Sequence, residues 1–278
     1  MKFILFNINN YCVKINQEFM HFLMLISEKK DMIFQTEFLI RSIKKFSGFR
    51  STQFSVVVNG DVRTAIVEPS LTKGSVDNRY VMRNADVWRS PYFWSIPIPH
   101  RWYIEPKSET CVMIDVDMIA CKDISPIFNL DKKVFYGVNA YKKFFSLEDW
   151  RKVGVEKVNY FNFGLLIVPS EKMRIIGESL LNNVKIVTEN YKNYYYFAAQ
   201  IALTKTLYEL QLDVEALPRE FNWYDMRKEE NLNDIIFLHY MSNRKYIKDK
   251  NILIGKNGYL NLINSVAAQV FVEPKLFL

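Results

Sequence analysis

Apolar residues along the chain gather in short runs that polar turns separate, and the spacing within the runs varies. The continuous apolar run at 20–27 predicts a strand covered on both faces. Between 31 and 46 apolar residues recur at helical spacing and cations collect toward the end, which predicts a helix. A second strand is predicted at 53–58, where the turn signal Asn59-Gly60-Asp61 stops it. Strand, helix and strand in this order predict an α/β sheet whose first two strands are parallel neighbours.

The remaining chain continues this alternation without an internal repeat or a linker, which favours a single domain. A helix is predicted at 77–88, where Arg79 and Arg83 lie one turn apart on one face. The three prolines at 91, 97 and 99 then exclude a long helix. Segment 144–152 is polar and aromatic and is expected to be a mobile or acceptor-side segment. Further strands are predicted at 111–114, 118–121, 134–138, 160–169, 213–217 and 235–239, and further helices at 171–189, 194–210 and 255–271.

Composition and charge narrow the classes of protein that fit this pattern. The chain has 278 residues, of which 49% are hydrophobic, and this excludes a mainly disordered protein. Its net charge of +7 favours anionic partners such as phosphates, acidic glycans, nucleic acid or a membrane surface, although a merely soluble basic protein fits equally well. The basic residues are scattered and lack the aromatic-basic strand signature of an RNA-binding sheet, so we expect no nucleic-acid partner.

The cysteines and the amino terminus bear on the cellular compartment. Cys12, Cys111 and Cys121 form an odd set without metal-ligand spacing, and a reducing compartment is the simpler inference. Two of them lie in apolar, strand-like runs and are expected to be core thiols. The apolar start of the chain is too short for a secretory signal, and 19–26 is too short to span a bilayer. We therefore expect a cytoplasmic protein. The basic stretch 244–256 ahead of the closing helix allows peripheral membrane contact.

The stretch 111–124, CVMIDVDMIACKDI, carries the chemistry that most needs an explanation. The predicted strand 111–114 delivers Asp115 and Asp117 between two apolar runs, where carboxylates are costly to bury without a partner. Side chains two residues apart point to the same side of an extended chain, so both carboxylates can face one cation. Mg²⁺ or Mn²⁺ suits carboxylate and phosphate oxygens, and ligands bind at the carboxyl ends of strands in α/β sheets. A solvated acidic turn is the alternative.

Several later segments, in order, complete a recognisable pattern. FNFG occupies 161–164, Gln200 lies on a predicted helix, Leu217-Pro218 precedes Phe221-Asn222, and His239-Tyr240 precedes Lys245. Together with IDVD at 114–117, these segments resemble the GT-A glycosyltransferases that use nucleotide-sugar donors. The resemblance is to the retaining, family 8-like branch that includes glycogenin and bacterial lipopolysaccharide galactosyltransferases, and it covers about 20–247.

The resemblance implies a GT-A, Rossmann-like fold: one α/β domain over 1–278 with a mixed, mainly parallel sheet flanked by helices. It places the nucleotide-binding half at about 20–125, the acceptor and donor-sugar half at about 126–250, and a closing helical tail at 251–278. It implies transfer of a hexosyl group from a nucleotide diphosphate sugar, a UDP-sugar above all, with Mn²⁺ or Mg²⁺ as cofactor. The acceptor is a hydroxyl of a glycan, a lipid-linked sugar or a protein, and segment 144–152 is then an alternative acceptor-side element.

The resemblance also implies roles for single residues. Asp115 and Asp117 bind the metal, and His239 is the third ligand; a histidine satisfied within the core is the alternative. Lys245 neutralises the diphosphate as a point charge, unless it is an ordinary surface lysine. The remaining predictions are Asn162 and Gln200 at the donor sugar or reaction centre, where the alternative is a turn asparagine and a helix-face glutamine, and Ser27 and Arg101 at the donor.

Departures from the family pattern leave the substrate open. Ala199 stands where the family has Asp before Gln, Ser242 replaces a Gly, and Tyr246-Ile247 replaces Pro-Trp. These changes keep a catalytically silent nucleotide-sugar binder as an alternative function. An inverting enzyme needs a carboxylate base near the acceptor, and Glu148, Asp149, Asp213 and Asp225 stand in no motif, so retention is expected from the resemblance alone.

Overall fold

The computed structural model describes residues 7–8, 11–12, 19–27, 30–48, 50–59, 78–82, 102, 104–106, 108–140, 146–156, 159–190, 198–224, 232–240 and 258–271. Its strands are β1 (Asn7–Ile8), β2 (Tyr11–Cys12), β3 (Phe19–Ser27), β4 (Ser51–Asn59), β5 (Asn78–Met82), β6 (Thr110–Ile114), β7 (Met118–Ala120), β8 (Phe135–Asn139), β9 (Phe161–Pro169), β10 (Val214–Leu217) and β11 (Phe237–His239). Its α-helices are α1 (Lys30–Phe46), α2 (Leu147–Lys152), α3 (Met173–Asn190), α4 (Ala198–Glu209) and α5 (Gly258–Val270).

Seven strands form one sheet in the order β10-β8-β9-β6-β3-β4-β5. Strand β9 runs antiparallel to both of its neighbours, while all the other pairs are parallel. Two short antiparallel sheets, β1-β2 and β7-β11, lie outside this order. This single α/β domain, with a mixed and mainly parallel sheet flanked by helices, is the GT-A fold that the sequence predicts. The division into halves at 125 and 250 stays a prediction.

The centre of the sheet is apolar on both faces, as the continuous run at 20–27 predicts. Phe22 and Met24 of β3 face one cluster of buried side chains, and Leu23 faces another. All five residues of β6 are buried, which fits a strand that lies between β3 and β9. Helix α1 packs Leu39, with other apolar residues, into the first cluster and so covers that face of the sheet.

The opposite face is covered by α3 and α4. Leu180 of α3 and Leu203 of α4 belong to the second cluster, together with Phe163 of β9. A polar link joins the two helices: the Asn183 amide donates to Thr206 Oγ1 at 3.0 Å and to Glu209 Oε2 at 2.7 Å. The helices predicted at 171–189 and 194–210 are therefore confirmed, except for 194–197, which lie outside the described residues.

One sequence-based prediction of secondary structure is wrong. Residues 78–82 form strand β5, whereas a helix was predicted at 77–88; residues 77 and 83–88 lie outside the described part. Strand β5 pairs in parallel with β4, from Ser55 opposite Asn78 to Asn59 opposite Met82. Strand β4 would otherwise leave its backbone N–H and C=O groups unpaired along one edge. The hydrogen bonds that β5 forms with these groups stabilise a strand more than the spacing of two arginines favours a helix.

Segment 144–152 was predicted to be a mobile or acceptor-side segment, and its described part forms helix α2. A capping box starts this helix: Ser146 Oγ accepts from the Asp149 N–H, and the Asp149 carboxylate accepts from the Ser146 N–H at 3.0 Å. Hydrogen bonds from Ser146 lower the pKa of Asp149 below its usual range. Trp150 is buried in the second cluster, so α2 is anchored to the core. Residues 144–145 lie outside the described part.

A third apolar cluster joins the end of the chain to its beginning. Ile263 of α5 packs there with Phe38 of α1 and Leu238 of β11, and the Phe271 ring stacks on Phe34 at 5.8 Å between centroids. The predicted closing helix is thereby confirmed over Gly258–Val270. In the part of the chain that the structure describes, no helix has a stretch long and apolar enough to cross a bilayer.

Candidate metal and donor site

Asp115 and Asp117 lie in the tight turn between β6 and β7, at the carboxyl end of β6. The sequence argument placed them on an extended chain, and this geometry is wrong. The turn nevertheless brings both carboxylates to one place, while giving them different surroundings: Asp117 is 5% exposed, and Asp115 is partly exposed. The turn is anchored to the sheet, because the Asp115 N–H donates to the Gly164 carbonyl of β9 at 2.9 Å.

Strand β11 brings the third predicted ligand to the same turn. It runs antiparallel to β7, with His239 opposite Met118. Beyond the strand, the Tyr240 N–H donates to the Asp117 carbonyl at 3.0 Å, and the Tyr240 hydroxyl donates to the Val116 carbonyl at 3.3 Å. These bonds tie the main chain of the turn to the end of β11, so His239 is held against the two aspartates.

Asp115, Asp117 and His239 each offer one ligand atom, and these atoms all lie within 4.8 Å of one another. His239 Nε2 is 3.3 Å from Asp117 Oδ1, and His239 is 3% exposed. Two carboxylates and one imidazole form a donor set with net negative charge at a place largely closed to water, where a divalent cation offsets the cost of burial. The residues present therefore fit the Mn²⁺ or Mg²⁺ that the sequence predicts.

Strand β9 lies beside the turn and contributes Asn162 and Gly164, both within the predicted FNFG segment. The Gly164 N–H donates to Asn162 Oδ1 at 2.8 Å, and Asn162 Oδ1 also accepts from Asn222 Nδ2 at 2.9 Å. Asn222 Oδ1 in turn lies 3.0 Å from His239 Nδ1. A chain of hydrogen bonds thus runs from the backbone of β9 to the imidazole of His239. Asp115, Asp117 and His239 are together called the metal group, as the candidate metal site.

Two tyrosines lie close to this group. The Tyr224 ring stands edge-on to the His239 ring, with 6.3 Å between centroids. Tyr160 directly precedes β9 and is 5% exposed; burial and, to a smaller degree, nearby Tyr224 raise its pKa above the ordinary value. The Tyr160 hydroxyl is therefore neutral at physiological pH.

The other predicted site residues have different outcomes. Ser27 ends β3, whose carboxyl end lies at the same edge of the sheet as that of β6, while its side chain lies outside the described residues. Arg101 and Lys245 also lie outside them. Gln200 is the third residue of α4 and is partly buried. The roles of these four residues stay predictions, as does the contact of Asn162 with a donor sugar.

Sequence reasoning named Asn222 and Gly164 as parts of motifs but gave neither a role. Asn222 is fully buried and reaches both Asn162 and His239, which are distant in sequence. Gly164 has no room for a side chain, because an added Cβ would lie 2.5 Å from His239 Nδ1. The only signal in the sequence was their position in the segments FNFG and LPREFN.

Comparison with known proteins identifies the family of this fold. The family model described as "Glycosyl transferase family 8" matches residues 13–246. Among curated proteins, none matches the chain by sequence.

Solved structures of glycosyltransferases resemble the chain in fold. The apo structure of the bifunctional glycosyltransferase WbbM superposes with a TM-score of 0.59 at 14% identity, covering 97% of this chain and 53% of that one. The chain therefore spans about half the length of WbbM. The galactosyltransferase LgtC, in complex with donor and acceptor sugar analogues, gives a TM-score of 0.58 at 12% identity and covers 90% of this chain and 96% of that one. An active-site mutant of LgtC gives a TM-score of 0.59.

Proposed function

The chain belongs to glycosyl transferase family 8, and from this premise we propose that it moves a hexosyl group from a nucleotide diphosphate sugar to a hydroxyl acceptor. The observation that carries the proposal is the group of Asp115, Asp117 and His239 at the carboxyl end of β6. A UDP-sugar is the proposed donor, and the proposed acceptor is a hydroxyl of a glycan, a lipid-linked sugar or a protein. LgtC, which has the same fold, was solved with donor and acceptor sugar analogues.

Asp115, Asp117 and His239 are the proposed ligands of Mn²⁺ or Mg²⁺. The cation, when bound, would offset the negative charge that develops on the leaving diphosphate. Main-chain bonds between β11 and the turn keep Asp117 and His239 next to each other, so the ligand set is formed before the donor arrives. Such preorganisation avoids reorganisation cost during the reaction. Lys245 is the proposed partner of the diphosphate, and Gln200 and Asn162 are proposed to line the reaction centre.

We propose transfer with retention of configuration. Strands β10, β8 and β6 run in the same direction, because β8 and β6 are both antiparallel to β9. Asp213 precedes β10, so it lies at the amino-terminal ends of these strands, whereas the metal group lies at the carboxyl end of β6. The Asp149 carboxylate is occupied by the capping box of α2, and Glu148 is exposed and paired with Lys152. The distance of Asp213 from the metal group and the engagement of Asp149 in the capping box support retention. Analysis of the product anomer by proton NMR tests this: the anomer opposite to the donor would contradict it.

The metal role is tested by calorimetric titration of UDP in the presence and absence of Mn²⁺. We expect UDP binding to require Mn²⁺, and Asp117→Asn to abolish both binding and release of UDP from UDP-hexoses with an acceptor. Asp123→Asn is the matched control, because Asp123 is an exposed aspartate of the same stretch that is bonded to Ser125. Unchanged binding and turnover in the Asp117 variant would reject the metal role.

A catalytically silent nucleotide-sugar binder is the alternative, since Ala199 stands beside Gln200 where the family has Asp. Metal-dependent UDP binding without release of UDP from any UDP-hexose in a panel with glycan acceptors would favour it. We also propose that the protein is cytoplasmic and that the basic stretch 244–256 allows peripheral contact with a membrane. Sedimentation with anionic liposomes at low salt tests that contact, and failure to sediment would contradict it.

A further inference from the structure

A chain of hydrogen bonds links the backbone of β9 to His239, whose Nε2 faces Asp117. The Gly164 N–H donates to Asn162 Oδ1, the Asn222 side chain bridges Asn162 and His239, and His239 Nε2 faces Asp117 Oδ1 at 3.3 Å. The two asparagines are 7% and 0% exposed, so water does not compete for these bonds.

The direction of every bond in this chain follows from its first member. A backbone N–H can only donate, so the Asn162 atom that faces Gly164 is the oxygen. This oxygen can only accept, so Asn222 presents its NH₂ group to it at 2.9 Å. The remaining atom of the Asn222 amide is then the oxygen, which needs a donor, and the neighbour within reach is His239 Nδ1 at 3.0 Å. Nδ1 of His239 therefore carries a proton.

We propose that Asn162 and Asn222 are positioning residues that set the tautomer of His239, so that in the neutral imidazole the lone pair is on Nε2, toward Asp117. The proposal rests on the proposed metal site, which a histidine joins through an unprotonated nitrogen. Ligating histidines generally donate their other N–H to an acceptor that fixes the ring, and here the acceptor is an amide oxygen. The direction of these hydrogen bonds is set by the main-chain N–H of Gly164 rather than by a carboxylate, so the direction does not depend on pH.

The relay also explains why buried amides are kept at both positions. An apolar residue in place of Asn222 would leave the His239 N–H without its acceptor, and one in place of Asn162 would free the Asn222 amide to turn over. A turned amide presents NH₂ to His239 Nδ1, which favours the tautomer with the lone pair on Nδ1. In that tautomer Nε2 carries the proton and cannot bind the cation.

Nitrogen-15 NMR of histidine-labelled protein reads the tautomer directly. The chain has three histidines, and the His239 signals are those missing from His239→Gln. In the Mg²⁺-bound wild type at pH 8 we expect Nδ1 protonated and Nε2 unprotonated. In Asn222→Leu we expect a mixture of tautomers. An unprotonated Nδ1 in the wild type would overturn the proposal, because it reverses the polarity of the whole relay.

Calorimetric titration of the metal-free protein with Mn²⁺ measures the consequence. We expect Asn222→Leu and Asn162→Leu to weaken Mn²⁺ binding by about 10- to 100-fold. Asn162→Asp should remain close to wild type, because a carboxylate still accepts from both Gly164 and Asn222. Asn222→Asp should not rescue in the same way, because it sets an acceptor against Asn162 Oδ1. This asymmetry between two identical substitutions would not arise from a merely structural role.

Asn183→Leu is the matched control, since it removes an equally buried and doubly bonded asparagine between α3 and α4. It should lower the melting temperature and leave the Mn²⁺ affinity of the folded protein unchanged. Wild-type affinity in both leucine variants, with binding lost in Asp117→Asn, would overturn the relay and leave the proposed function intact. Wild-type affinity in Asp117→Asn would instead reject the metal site itself.

Discussion

Gly164 has only a hydrogen as its side chain, and the His239 and Asn162 side chains occupy the space where a Cβ would lie. An added Cβ would lie 2.5 Å from His239 Nδ1, 2.7 Å from His239 Cε1 and 2.9 Å from Asn162 Oδ1. The backbone of the same residue donates to Asn162 and accepts from Asp115. The close approach of β9 to the metal group therefore requires glycine here for steric reasons.

Gly164→Ala should consequently damage the site more than the fold. We expect a loss of about 1–3 kcal/mol in unfolding free energy from overpacking, together with a Mn²⁺ affinity at least tenfold weaker because the imidazole is displaced. Gly177→Ala is the control: its Cβ would lie 2.6 Å from Trp102 Cβ, in the second cluster and away from the metal group. Urea denaturation and calorimetry on both variants separate the effects. Equal loss of Mn²⁺ affinity in both would contradict a local role for Gly164.

Cys121 makes stability depend on alkaline pH. Burial raises the pKa of its thiol to about 12, against a smaller opposing effect of the Leu238 backbone. The unfolded chain loses this proton above about pH 9 while the folded protein keeps it, so folding stability falls as pH rises. Between pH 8 and pH 10 we expect Cys121 to contribute a loss of about 1 kcal/mol at most, because the side chain is only partly buried. Urea titrations at both pH values should show a smaller decline in Cys121→Ala, and an identical decline would contradict the assignment.

At the scale of residues, the sequence predicted that Asp115, Asp117 and His239 belong together, and the structure brings their side chains to one place. Their role as metal ligands stays a prediction, and the argument from an extended chain was wrong because a turn holds the aspartates. Asn222 received no role from the sequence. Its proposed role depends on contact between three segments that are distant in sequence, and no local pattern encodes that contact.

Among the elements, α2 shows how a short helix is fixed by its ends. Six residues are too few for a helix to be stable alone, so the capping box and the burial of Trp150 decide its formation. Trp150 also packs edge-on against Tyr160, with 5.7 Å between ring centroids, directly before β9. The cap of α2 therefore supports the segment that leads into the site.

Ser146→Ala should destabilise the protein by about 0.5–2 kcal/mol, because the N–H groups of the first turn lose their acceptor. Ser146→Thr should recover most of this loss, since threonine is also a good N-cap and keeps the hydroxyl that donates to Asp149 Oδ2. Glu148→Gln is the control in the same turn; it removes an exposed ion pair with Lys152 at 2.9 Å and should change stability by less than about 0.5 kcal/mol. Chemical denaturation measures all three variants. A loss in the control as large as that in Ser146→Ala would show that capping is not the cause.

Strand β5 was mispredicted and helix α2 was not predicted, for a common reason. Both are short, with five and six residues, and periodicity over so few positions does not separate strand from helix. The long elements β3, β9, α1 and α3 were predicted within a few residues, because their apolar pattern extends over several turns or over a fully buried strand. Element type was thus predictable where packing and local pattern agree.

At the scale of the whole molecule, the metal group combines residues from the seven-stranded sheet and from the small β7-β11 sheet. Asp115 and Asp117 follow a central strand of the seven-stranded sheet, whereas His239 belongs to β11, which pairs only with β7 among the described strands. Leu238 and Tyr240 on either side of His239 pack in the third cluster with α5. The sequence predicted these strands but not that β7 and β11 pair outside the main sheet, because strand partners are chosen by tertiary packing.

Metal binding should therefore slow local opening of β11 more than opening of the main sheet. In the protein without metal, β11 is held to the turn by short-range bonds such as Tyr240 N–H to Asp117 O. A cation bound by His239 and the two aspartates must be released before β11 can separate. At a Mn²⁺ concentration of 100 times the dissociation constant, this adds about 2.7 kcal/mol to the cost of opening, or about a 100-fold slower exchange.

Hydrogen exchange followed by mass spectrometry tests this on peptides that cover 235–240 and 161–169. The amides of His239 and Tyr240 donate to Trp223 and Asp117, so their protection reports separation of β11 from its neighbours. We expect strong slowing by Mn²⁺ in the first peptide, little change in the carboxyl-terminal part of the second, and no slowing in Asp117→Asn. Uniform slowing of both peptides would mean that the cation stabilises the domain as one unit, and no slowing would mean that β11 does not carry a ligand.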